Sequence, residues 1–186
     1  MRVKTLLRQY GPTVLNLVVF QAAWFACVLG AARGAPGWGV AACIGAVLLN
    51  LWFSDARRDE LLLALCAVLL GLAWDTGMAR GGVLVYASPG PWPGLAPVWI
   101  LGLWALFSTT LRGPLRWLHG RWLLSAVIGG VGGALSYAAA VRMGAGQFPD
   151  PTRAMLVLGA GWAVMTPLLV ELARWLGQRA TRRVAR

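Results

Sequence analysis

PTVLNLVVFQAAWFACVLGA, residues 12–31, carries no charged side chain in 20 consecutive positions. A helix needs roughly 20 mostly apolar residues to cross the hydrocarbon of a bilayer, so this stretch by itself predicts a span. Arg2, Lys4 and Arg8 precede it, as in a signal peptide. The run is longer than a signal peptide's apolar segment and contains Asn16 and Gln21, so an uncleaved first helix is expected. Five further blocks follow at 37–53, 60–78, 95–111, 122–141 and 154–176. The expected fold class is all-α: one integral membrane domain over residues 1–186, a polytopic bundle of six transmembrane helices.

Composition agrees. Hydrophobic residues make up 59% and charged residues 12%, against about 25% charged in ordinary soluble domains. Disorder, a coiled coil and a typical cytosolic enzyme are excluded. The net charge of +11 would suggest nucleic acid in a soluble protein. Here the basic residues fall between apolar blocks, so no nucleic-acid partner is expected. Thirteen of the 17 Lys+Arg lie at the two termini and in the loops after the second and fourth blocks. Only Arg33, Arg80, Arg142 and Arg153 occupy the alternate loops. That bias predicts both termini on the cytoplasmic side. Six of the 11 Trp (Trp38, Trp52, Trp92, Trp117, Trp122 and Trp175) fall near block ends, where amphipathic rings anchor to the interface. The Trp-rich composition therefore reads as anchoring, not as a ligand cage. The basic and aromatic segment 111–122, LRGPLRWLHGRW, is expected to touch anionic lipid headgroups.

Small residues recur every four positions in the fifth block (Ser125, Gly129, Gly133; Ala126, Gly130, Ala134) and in the sixth (Gly159, Ala163). This spacing lets helix backbones approach closely and predicts that the fifth helix is a tightly packed central element. The connection RGGVLVYASPGPWPGLAP, residues 80–97, holds four prolines and cannot be helical throughout. It is expected on the outer face, with Tyr86 and Trp92 in the interface.

Polar groups inside spans are costly and need a partner or a purpose. By depth they form two layers. An outer layer, the candidate functional site, holds Asp75, Thr76, Ser136 and Tyr137, with Tyr86 from the adjoining connection. An inner layer holds Asn16, Asn50 and Glu171 with Gln21 near the middle, and Thr166 also lies near mid-span. Asp75 is placed to bind a cation, relay a proton or hold a polar substrate; alternatively it pairs with Arg80 or Arg142. Glu171 is spaced to pair with Arg174. Asn16, Gln21 and Asn50 are expected to hydrogen-bond between helices. Pro167 is a candidate kink.

Cys27, Cys43 and Cys66 lie inside apolar blocks without CxxC spacing and read as buried packing residues. His119 is the single histidine, with no neighbours for a metal site or a serine hydrolase. No nucleotide, dinucleotide or zinc-protease motif is present. No catalytic residue, metal or cofactor is implied.

Four fragments taken together, NLVVFQAAWFACVLGA (16–31), GLAWDTG (71–77), PVWILGLWALFSTTL (97–111) and GGALSYAAAVRMGA (132–145), resemble a family of small six-span bacterial inner-membrane proteins of unknown function. The resemblance implies a location in the bacterial inner membrane. Members often lie beside genes for cyclopropane-fatty-acyl-synthase-like methyltransferases and flavin oxidoreductases. It thus implies an accessory role in membrane lipid modification or an envelope stress response, with a lipid-modifying enzyme as partner. Two other readings stand beside it: a small-solute transporter or its substrate-binding subunit, and a structural or assembly protein. A cavity reaching Asp75 favours transport, a groove open sideways to lipid favours lipid handling, and a bundle without a cavity favours assembly.

Overall fold

The computed structural model describes residues 2–92 and 94–184, and side chains within 11–92 and 94–179. The described residues form six α-helices: α1 (Arg2–Ala32), α2 (Pro36–Phe53), α3 (Arg57–Arg80), α4 (Val98–Leu111), α5 (Trp122–Arg142) and α6 (Pro151–Val184). Two short strands, β1 (Val85–Tyr86) and β2 (Gly146–Gln147), pair antiparallel and tie the α3–α4 connection to the α5–α6 connection. We call this the ladder end of the bundle and the opposite end the termini end.

Five of the helices contain stretches long and apolar enough to cross a membrane. Their outward faces carry large apolar residues such as Val18, Leu48, Leu65, Val131 and Leu156. A surface so apolar fits lipid and not water; the chain is a multi-pass membrane protein.

The expected fourth span is the exception. It begins at Val98 instead of residue 95, because Pro97 caps it and the preceding proline-rich chain is irregular. Its 14 residues rise about 21 Å, short of the ~30 Å hydrocarbon core. Yet α4 packs against α1, α2, α3 and α6, and only Val98 among its residues is exposed. Non-helical backbone is tolerated at membrane depth where protein surrounds it. The connection leading into α4 is bonded accordingly. Ala96 N donates to Thr76 Oγ1 at 3.0 Å, and Trp99 Nε1 donates to Ser88 O at 2.9 Å.

The central element is therefore α4, not α5 as the small-residue spacing suggested. That spacing does explain the closest helix pair, α5 with α6. A Cβ on Gly130 would meet Gly159 O and Ala163, so those positions set backbone against backbone. The other stripe of α5 receives side chains instead: Gly129 faces Thr166 and Gly133 faces the Trp162 ring. Two helices sharing one partner face leave the rest of α5 to lipid.

The α1–α2 pair is closed by Gly39, whose missing Cβ would overlap Cys27 Cα. The thiols of Cys27 and Cys43 lie 3.4 Å apart there, both buried, whereas Cys66 is half-buried. Gly39→Val forces backbone apart and should cost about 1–3 kcal/mol. We expect roughly a 5–10 °C fall in the melting temperature of the detergent-solubilised protein. Gly45→Val points into open space and should melt like the parent.

Candidate functional site

Asp75 lies on α3 and is fully buried. One turn earlier, Gly71 has no side chain, and the Trp104 indole of α4 occupies the space a Cβ would take. That lets Trp104 Nε1 reach Asp75 Oδ2 at 2.6 Å. Oδ1 accepts two more hydrogen bonds, from Tyr86 Oη and Tyr137 Oη, each at 2.6 Å. One carboxyl thus gathers the ladder, α4 and α5. Burial pushes the Tyr86 hydroxyl above the usual phenol range, so it keeps its proton and donates.

Neither expected arginine pairs with Asp75. Arg80 Nε donates instead to Gly94 O at 2.9 Å, and Arg142 is exposed. Among the described residues Asp75 has only neutral donors around it. Tyr86 is buried, not interfacial, because the strand pairing turns it inward; Trp92 stays exposed. Thr76, next to Asp75 on the helix, points away and accepts the Ala96 N–H.

The rings around the carboxyl continue into a wall. Trp104 stacks on Trp162 of α6 with centroids 4.7 Å apart and planes 9° apart. Phe107 and Tyr137 meet the same Trp162 edge-on. This wall is the back of a cavity of about 470 Å³, within the ~300–1,000 Å³ range of small-molecule sites. Its floor comes from α4 and α6, and its sides from Phe20, Gln21 and Trp24 of α1 and from α5. Contact between α1 and α5 is sparse, and Trp24 Nε1 donates to Ser136 Oγ at 3.1 Å across it. Rim residues Gln21, Gly132 and Leu135 are exposed. The cavity is therefore a groove whose mouth faces sideways, between two lipid-facing helices. Tyr86 and Ala145 close its ladder end. Asp75 stands behind the wall and does not line it.

Trp104 and Trp162, not singled out in the sequence, supply much of this wall, so the Trp content is more than anchoring. The six end-of-block Trp are all exposed, by 45–79%. A signal for the inner ones was present. Gly71 precedes Asp75 by four residues and Gly133 precedes Tyr137 by four, which sets a gap one turn from each polar group.

The inner polar residues do not converge. Asn16 Nδ2 donates to Thr109 O at 3.3 Å. Asn50 Nδ2 donates to Glu60 Oε2 at 3.4 Å, and Glu60 pairs with Arg112 at 3.2 Å. That second group ties α2, α3 and the end of α4; it was not anticipated, since Glu60 and Arg112 lie at block edges. Glu171 pairs with Arg174 at 3.2 Å, as its spacing suggests. Gln21, expected to bond between helices, instead lies exposed on the groove rim, with no side-chain hydrogen bond among the described residues. His119 Nε2 meets Leu111 O at 2.9 Å and fastens the loop after α4.

Replacing Asp75 by Asn gives one amide oxygen where three donors converge on two carboxyl oxygens. At least one buried donor loses its acceptor, at about 1–3 kcal/mol. The purified Asp75→Asn protein should melt lower, and Tyr137→Phe should melt lower by a smaller amount, about 1 kcal/mol. Equal melting of Asp75→Asn and the parent would contradict the three-donor geometry.

Three comparisons with known proteins bear on identity. The chain is 32% identical over 128 residues to a protein named glycerol-3-phosphate acyltransferase from Synechococcus sp. (strain JA-3-3Ab). The match covers 65% of this chain and spans 59% of that protein's length. No solved structure matches the chain. Residues 13–168 match a family model described as protein of unknown function (DUF2878). Because this match takes in the ladder-end connections and nearly all of the bundle, the chain belongs to that family.

Proposed function

We propose that this protein handles membrane lipid: it takes one acyl chain sideways from the bilayer into the α1–α5 groove and presents it to a partner enzyme of lipid modification. The observation that carries this reading is the lateral mouth. An apolar groove between two lipid-facing helices is reached by diffusion in the membrane plane, without crossing water. The matched acyltransferase bears a name that concerns acyl groups, which supports the same substrate class. The transport reading needs an accessible Asp75, and that carboxyl is occupied by three donors behind the groove wall. The assembly reading leaves the groove without a purpose.

In this reading α4 is the sixth crossing, reaching both faces through its connections, and the termini lie in the cytoplasm of a bacterium with the protein in its inner membrane. The exposed Arg116 and Arg121 and the partly exposed Arg174 would then meet anionic headgroups on that side.

The test fills the groove. Gly132 lies on its rim with open space where a Cβ would go, so Gly132→Trp should fold normally. Mass spectrometry of the purified protein should find a bound acyl lipid in the parent and about tenfold less in the variant, a loss of ~1.4 kcal/mol in binding. A strain lacking the gene should lose a modified acyl species under membrane oxidative stress, and the variant should not restore it. Equal lipid content in both proteins, with an unchanged cellular lipid profile, would sink the proposal.

A further inference from the structure

Four arginines, Arg33, Arg80, Arg142 and Arg153, stand at the ladder end, against the bias that gathers the other cationic residues in the termini and the termini-side loops. Two of them serve the fold. Arg80 Nε donates to Gly94 O at 2.9 Å, and Arg153 Nη2 donates to Gly81 O at 3.4 Å. The carboxylate at this end is engaged as well: Asp150 Oδ1 accepts from Arg153 N at 3.0 Å where α6 begins. Arg33 and Arg142 remain. Both are exposed, and neither side chain has a salt bridge or hydrogen bond among the described residues.

These two arginines share one seam. Arg33 follows Ala32, the last residue of α1, and Arg142 is the last residue of α5. The groove opens between α1 and α5, and Val141, just before Arg142, lines it. The two helix ends meet: a Cβ on Gly144 would lie 3.6 Å from Ala32 Cβ. Each arginine therefore starts within two residues of that contact, at 3.8 Å per step. Depth gives the leaflet. The α5 lining runs from Ile128 to Val141, toward the ladder end of a helix that spans Trp122–Arg142. Gly132 on the rim lies about 15 Å from Arg142 along the axis, half of a ~30 Å hydrocarbon core. An acyl chain hung from a headgroup beside Arg142 covers that distance and reaches the open rim.

We infer that the lipid taken by the groove is anionic: its headgroup phosphate sits in the ladder-side leaflet between Arg33 and Arg142, and one of its acyl chains turns into the groove below the Ala32–Gly144 contact. This rests on the acyl-chain reading above and specifies the headgroup. A guanidinium offers paired donors that match phosphate oxygens, and basic residues at the interface attract anionic lipid. A zwitterionic headgroup brings its own cation to the seam and gains less. In the orientation proposed above this is the outer leaflet, where topology calls for few arginines, so a ligand accounts for the two that serve no bond of the fold.

Binding of radiolabelled dioleoyl phosphatidylglycerol and dioleoyl phosphatidylcholine to the protein in uncharged detergent tests the inference. The two lipids share their chains and differ in headgroup charge. The parent should prefer the glycerol lipid by about 10-fold or more. Arg33→Gln and Arg142→Gln should each cut that preference about 5-fold, the effect of one interfacial cation. Both side chains are exposed and unbonded, so both variants should melt like the parent. Arg58→Gln removes the same charge at the opposite end of the bundle and should keep the preference. Equal binding of the two lipids, blocked by Gly132→Trp, overturns the inference and leaves the groove reading intact. A preference lost in Arg116→Gln or Arg121→Gln but kept in the Arg33 and Arg142 variants puts the headgroup at the termini end and also overturns it. So does a preference that Gly132→Trp leaves untouched, because the headgroup then binds without the groove. Failure of the parent to bind either lipid overturns both readings.

Discussion

One carboxyl group organises the bundle. Asp75 accepts three short hydrogen bonds, from a connection, from α4 and from α5. In hydrocarbon an unpaired carboxyl is expensive, so its partners are held in place by the cost of losing them. Tyr86 arrives by way of the two-stranded ladder, and Trp104 arrives because Gly71 makes room. Trp104 then positions Trp162, and these rings form the back of the groove. Asp75 has no contact with the groove, yet its geometry sets the shape of the groove wall. A polar residue at membrane depth usually reads as a substrate or ion contact. Here the same residue type acts one layer further out.

Glycine is the counterpart of that carboxyl. Gly71, Gly133 and Gly161 each face an indole ring, those of Trp104, Trp162 and Trp74. Gly130, with Gly159, and Gly39, against Cys27, instead bring backbones together in the way small residues usually do. The fold therefore uses one sequence pattern for two purposes, close helix approach and pockets for large rings. Lipid tails give no hydrophobic drive for helices to associate. Ring-in-gap packing of this kind supplies contact area in its place.

Much of this could be read in the sequence, and the residues show where reading stops. The five long helices follow from apolar runs, which measure length and little else. The fourth run includes Leu95 and Ala96, apolar residues that belong to an irregular lead-in fixed by Pro97 and by the Thr76 hydroxyl. Hydropathy does not see such a boundary. Nor does it see that α4 is enclosed by four neighbours, because lipid and protein interior are equally apolar. For that reason the small-residue stripe placed α5 at the centre, when it marks only the α5–α6 seam. At the candidate site, Asp75, Tyr86, Ser136 and Tyr137 could be named as intramembrane or adjoining polar groups. Their arrangement could not, since it depends on Trp104 and Trp162. A tryptophan in an apolar run looks alike whether it faces a headgroup or a carboxylate.

The hydrogen bond from Trp24 to Ser136 joins α1 and α5 beside the groove mouth, and so acts as a crossbar. A single hydrocarbon chain can thread beside a bar. A molecule with two chains on one glycerol would have to leave one of them outside or break the bond. Under the acyl-chain reading proposed above, the doorway would count chains: one would enter, its sibling would stay in the membrane, and the headgroup that joins them would remain at the surface.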